Sequence, residues 1–145
     1  MLPHNHFIIS GLAAVPVAAV LSPDKSIIGI GEWFLISGLL SAAVDYDVYI
    51  LVLLKSGKED RLKPFRNPIE IYRKYKLFMD TITETGVLKI GLKTHFIFSA
   101  LIVLLIYLFA NPYFIPAVIG VVSHVISDIP NLWRFIRLKE LKKGG

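Results

Sequence analysis

Ile27–Leu54 reads IIGIGEWFLISGLLSAAVDYDVYILVLL, an apolar run whose only charged residues are Glu32, Asp45 and Asp47. A helix needs about 20 apolar residues to cross the hydrocarbon of a bilayer, and this stretch exceeds that. Three more segments of the same character lie at 5–21, 95–110 and 112–130, all nearly without a polar face. Of the 145 residues, 54% are hydrophobic and 19% charged, more apolar surface than one small soluble core can hide. The predicted fold is therefore all-α, an integral membrane bundle of four transmembrane helices forming a single transmembrane domain over 1–145. Helical hairpins buried in a soluble bundle are the competing reading, and the missing polar faces argue against it.

The first segment is short enough to resemble the core of a signal peptide. No basic region precedes it and Pro16 interrupts it, so it is expected to be retained. Cysteine is absent, which excludes disulfides and thiolate metal sites and leaves His, Asp and Glu as ligands.

The net charge of +5 matters less than where the charges fall. Ten Lys or Arg lie between Lys55 and Lys93, and five follow the fourth segment, whereas the connection at 22–26 carries Lys25 alone. By the positive-inside rule both termini, the connection 55–94 and the tail 131–145 are expected in the cytoplasm, in a multi-pass protein of the cell membrane. Topology accounts for the basic residues, so no nucleic-acid partner is expected.

Within the long connection, Asn67-Pro68-Ile69-Glu70 has the marks of a helix start, and Gly86 those of a stop. Between them Ile71, Tyr72, Tyr75, Phe78, Met79 and Ile82 recur at helical spacing beside Arg73, Lys74 and Lys76. The pattern predicts an amphipathic helix over 68–85, at the cytoplasmic membrane interface or docked on the bundle. Gly29, Gly31, Ser37, Gly38, Ser41 and Ala42, with Gly11, Ala14 and Ala18, offer small surfaces for close helix approach. Lys142–Gly145 reads as a frayed tail.

The informative residues are those that are costly near lipid: His6, Glu32, Asp45, Asp47, His95, His124 and Asp128. In the expected topology all but Glu32 fall near the cytoplasmic face. Asp45 and Asp47 follow about 18 residues of an outside-to-inside helix, a rise of roughly 27 Å. His124 and Asp128 are one helical turn apart on one face. Asp45 and Asp47 are about 200° apart, so one points away or the helix loosens between them. Simpler roles exist for all but His124: head-group placement for His6 and His95, solvation for Asp45 and Asp47, pairing with Arg134 for Asp128, an interfacial role for Glu32. Six such groups at one level make a shared role the stronger reading. Imidazoles and carboxylates without sulfur suit Zn²⁺, Mn²⁺ or Fe²⁺, as one or two divalent ions.

His6 before Ile8-Ile9-Ser10-Gly11-Leu12, Asp45-Tyr46-Asp47 after Gly38-Leu39-Leu40, Thr94-His95, and Ser123-His124-Val125-Ile126-Ser127-Asp128 occur in this order. The chain resembles the membrane-bound metal-dependent hydrolases, also described as LexA-binding, inner-membrane-associated hydrolases. Val44 and Val48 stand where that family commonly has the Pro and His of P-D-x-D-H, and Ile90-Gly91-Leu92 where it often has H-R-G. The resemblance implies a hydrolase. His6, Asp45, Asp47, His95, His124 and Asp128 are then the expected metal ligands, with Asp45 or Asp47 as general base for an activated water. The expected substrate is a phospholipid or other phosphoester at the cytoplasmic face, with Lys93 or a nearby arginine holding phosphate. The bilayer is the expected partner, and a homo-oligomer is compatible with the sequence. The rival class is a non-enzymatic membrane protein, either a small ion or proton transporter subunit or a scaffold for a cytoplasmic partner, in which the same groups line a path.

Overall fold

The computed structural model describes residues 2–141, so the expected frayed tail at Lys142–Gly145 lies outside the described residues. Every regular element among the described residues is helical. Four helices are long and apolar enough to cross a membrane: Pro3–Leu21, Ile27–Lys55, Val87–Phe109 and Asn111–Pro130. The chain gathers into two compact units, one of Met1–Val44 with Leu101–Gly145 and one of Asp45–Ala100.

The first unit is built on α1 (Pro3–Leu21), α2 (Ile27–Val44) and α7 (Phe114–Leu141), each packed against the other two. Pro3 opens α1 where its missing N–H costs nothing, and Pro23 follows the end of the helix. What lets the three backbones approach is small side chains, the usual basis of helix packing in membranes. Gly11 lies under the ring of Phe34: a Cβ there would sit 2.7 Å from Phe34 Cε2. Reciprocally, Gly38 lies against Phe7, 2.8 Å from its carbonyl oxygen to such a Cβ. The two rings meet edge to face with centroids 5.6 Å apart.

Farther along, Ala14, Ala18 and Trp33 form a buried cluster edged by Val17, Ile30 and Ile119. Hydroxyls join the same interfaces. Ser123 Oγ lies 2.7 Å from Ser10 Oγ, Ser10 donates to Ser41 at 2.7 Å, and Ser37 donates to the Pro116 carbonyl at 2.7 Å. Of the small residues expected to mediate packing, Gly31 faces open space. The outward faces carry exposed Ile8, Leu12, Leu35, Leu39, Ile115 and Val122, an apolar exterior suited to lipid rather than water.

The second unit comprises α3 (Tyr46–Lys55), a 3-10 helix at Asp60–Arg66, α4 (Pro68–Arg73), α5 (Tyr75–Glu84) and the first part of α6 (Val87–Phe109). Its core is Val52, Leu62, Phe65, Phe78, Met79, Ile82, Val87 and Leu88, with Phe65 and Phe78 in edge contact at 5.2 Å. The loop is tied by polar groups: Tyr49 Oη donates to the Arg66 carbonyl and Arg66 Nε to Ser56 Oγ, each at 2.7 Å. Asn67 Oδ1 caps α4 by accepting from Ile69 N–H. Gly86, with φ of 72°, makes the left-handed turn into α6.

Several expected boundaries are corrected. The single helix over 68–85 is two helices, parted at Lys74, whose N–H bonds to the Glu70 carbonyl and whose ammonium bonds to the Glu70 carboxylate. The predicted apolar stripe is divided: Phe78, Met79 and Ile82 pack into the core made with Leu62 and Phe65, while Tyr72 is exposed. α6 begins at Val87, because Gly86 is a turn and nothing after it breaks the helix, so His95 lies within the helix rather than at its start. The fourth helix runs on through Pro130 to Leu141.

Candidate metal centre

His6 lies in the second turn of α1, and α7 contributes His124 and Asp128 one turn apart, as their spacing of four requires. Both imidazoles are fully buried, and their ring centroids are 4.2 Å apart. His6 Nε2 stands 3.4 Å from Asp128 Oδ1, and His124 Nε2 stands 3.5 Å from Asp128 Oδ2. Within this unit, ligand atoms of all three residues fit within 4.8 Å of one another. An ion with bonds of ~2.1 Å in tetrahedral geometry keeps neighbouring ligands about 3.4 Å apart, so the group could hold one small cation. The donor set of two imidazoles and a carboxylate fits a divalent ion of borderline hardness.

A fourth residue completes this cluster. Ser127 Oγ lies 2.7 Å from His6 Nδ1 and donates to the His124 carbonyl at 2.8 Å. One turn of α7 thus carries two candidate ligands and the hydroxyl that engages the third.

The second unit holds its own set. The α2–α3 helix loosens at Asp45, which keeps right-handed angles (φ −63°, ψ −16°) between Val44 and Tyr46, the ends of the flanking helices. The separation of the two carboxylates around the helix is absorbed by the breadth of an imidazole: His95 Nδ1 is 2.6 Å from Asp47 Oδ1, and His95 Nε2 is 3.7 Å from Asp45 Oδ1. Thr94 Oγ1 donates to Asp47 Oδ2 at 2.6 Å, which leaves Oδ1 toward the ring. Asp47 and His95 are buried. One turn beyond His95, Ser99 is buried too, and its hydroxyl has no hydrogen-bond partner among the described residues.

Of the six expected ligands, His6, His124 and Asp128 belong to the first unit and Asp45, Asp47 and His95 to the second. Glu32 is exposed on α2. The pairing of Asp128 with Arg134 concerns a side chain outside those described. Sequence reasoning gave no role to Ser127 or Ser99 and read Thr94 only as part of a motif; a hydroxyl within one turn of each histidine was the available signal. No protein-family model, curated protein or solved structure matches this chain, so its function has to be read from the chemistry of these side chains.

Proposed function

We propose that the protein is a membrane-embedded, metal-dependent hydrolase that acts at the cytoplasmic membrane face on a phospholipid or another phosphoester. The observation that carries this reading is the His6–His124–Asp128 cluster, with both imidazoles fully buried, on helices apolar enough to cross a membrane. An Asp in that setting costs ~2.5–3.5 kcal/mol on insertion scales, and a bound cation offsets the cost by giving the carboxylate a partner.

His6, His124 and Asp128 would hold a divalent ion, Zn²⁺, Mn²⁺ or Fe²⁺, and Asp45, Asp47 and His95 are the remaining members of the proposed ligand set. When bound, the ion supplies Lewis acidity toward a phosphoryl oxygen and makes water more acidic. The chain's own groups handle the protons. Asp47, held by Thr94 on one oxygen and beside His95 on the other, orients the imidazole as the carboxylate of a catalytic triad does. Whichever of Asp45 and Asp47 is not needed for ligation would serve as general base.

The cytoplasmic orientation is supported by the ten basic residues at 55–93 against Lys25 alone on the other side. Exposed Ile69, Tyr72 and Leu77 beside Arg73, Lys74 and Lys76 support a role for α4 and α5 as the interfacial element that meets anionic head groups.

Metal content of detergent-purified wild type, compared with His124→Ala and Asp45→Ala, tests the reading together with release of phosphate or head group from phospholipid micelles. Near-stoichiometric metal that falls in both variants, with activity lost in parallel, is expected. Hydrolysis retained by His124→Ala would sink it.

A further inference from the structure

A histidine that ligates a metal must present a lone pair, and which nitrogen does so depends on what its other nitrogen bonds to. For His6 that group is Ser127. A serine hydroxyl has one proton and two lone pairs. Two groups lie within reach of Ser127 Oγ: the His124 carbonyl at 2.8 Å and His6 Nδ1 at 2.7 Å. The carbonyl can only accept. Donation to it, the usual habit of serine inside a helix, makes the hydroxyl oxygen an acceptor toward α1, so the 2.7 Å contact is Nδ1–H donating to Oγ. His6 Nε2 is then the nitrogen with the lone pair, and it is the one that faces Asp128 Oδ1 at 3.4 Å.

We propose that Ser127 is a positioning residue that fixes His6 in the Nδ1–H tautomer and so presents Nε2 as a metal ligand. The inference rests on the metal reading proposed above, but its first half, the tautomer, is a property of the chain without metal. The reverse arrangement, Ser127 donating to Nδ1 and Nε2–H donating toward Asp128, belongs to a purely structural His–Asp pair. The two arrangements differ by one proton position, which is measurable. The sequence spacing makes the device economical: Ser127 is three residues after His124 and one before Asp128, so a single turn orders all three side chains.

The experiment is ¹⁵N NMR of histidine-labelled, metal-free protein in detergent, with the His6 signals assigned through His6→Ala, beside Zn²⁺ affinity by chelator competition. Wild type should show His6 protonated on Nδ1. Ser127→Ala should lose that preference and bind Zn²⁺ about 10- to 100-fold more weakly, and Ser127→Thr, which keeps the hydroxyl, should restore both. An Nε2–H tautomer in wild type, or a Ser127→Ala variant with unchanged tautomer and Zn²⁺ affinity, would overturn the inference. If wild type binds no Zn²⁺, the metal reading falls and with it the role of Ser127 as a ligand-positioning residue, even where the tautomer is the one expected.

Discussion

Gly120 on α7 lies against the backbone of Ser37 on α2 so closely that a Cβ at position 120 would stand 2.5 Å from the Ser37 carbonyl oxygen and 3.1 Å from its Cα. Neither atom can move without shifting a helix. Gly120→Ala is therefore expected to destabilise the protein by about 1–3 kcal/mol, the usual cost of overpacking. Thermal unfolding in detergent followed by circular dichroism checks this, with Gly31→Ala, which meets nothing within 4 Å, as the neutral control.

Ser10 links α7 to α2: its Oγ lies 2.7 Å from Ser123 Oγ and donates to Ser41 at 2.7 Å. Ser10→Ala removes both bonds and leaves the Ser123–Ser41 pair without its middle member. Interhelical hydrogen bonds of this kind contribute ~0.6–2 kcal/mol. A loss in that range is expected in the same unfolding measurement. A Ser10→Ala protein as stable as wild type would mean that water or a rotated serine replaces the link.

Thr94 Oγ1 holds Asp47 Oδ2 at 2.6 Å, and Thr94→Val keeps the shape while deleting the donor. Under the proposed mechanism the carboxylate then turns more freely and orients His95 less well. Hydrolysis is expected to fall about 10- to 100-fold, as for other residues that support a metal or catalytic side chain, with little change in unfolding temperature. A large stability loss with unaltered activity per folded molecule would count against the assignment.

The carboxyl of Glu70 is held below the usual carboxylate range, chiefly by its hydrogen bond from Lys74 and further by the charges of Lys74 and Arg73. Because its folded value is depressed, the α4 contact contributes above the unfolded carboxylate value and is lost as pH falls through the folded one. NMR titration should show Glu70 ionising at lower pH than an unpaired glutamate, and Lys74→Ala should move it back up. An unmoved Glu70 in that variant would assign the depression to other charges.

That four segments are long and apolar enough to cross a membrane was legible in the sequence, because hydropathy over about 20 residues is a local sum that needs no knowledge of neighbours. The one-turn pairing of His124 with Asp128 was legible for a similar reason, since helix geometry alone puts residues four apart on one face. The tertiary structure decided matters that depend on what lies across an interface. The stripe at Phe78, Met79 and Ile82 is periodic whether it meets lipid or protein, and only the presence of Leu62 and Phe65 shows that it builds a core. Asp45 and Asp47 could not be reconciled by angle on an ideal helix, and it took the width of the His95 ring to receive both carboxylates. Which glycines pack and which face open space was likewise undecided, since small size permits contact without specifying a partner. Ser127 had no legible role, because a hydroxyl acquires direction only from the groups it meets, and one of these, His6, is 121 positions away in the chain.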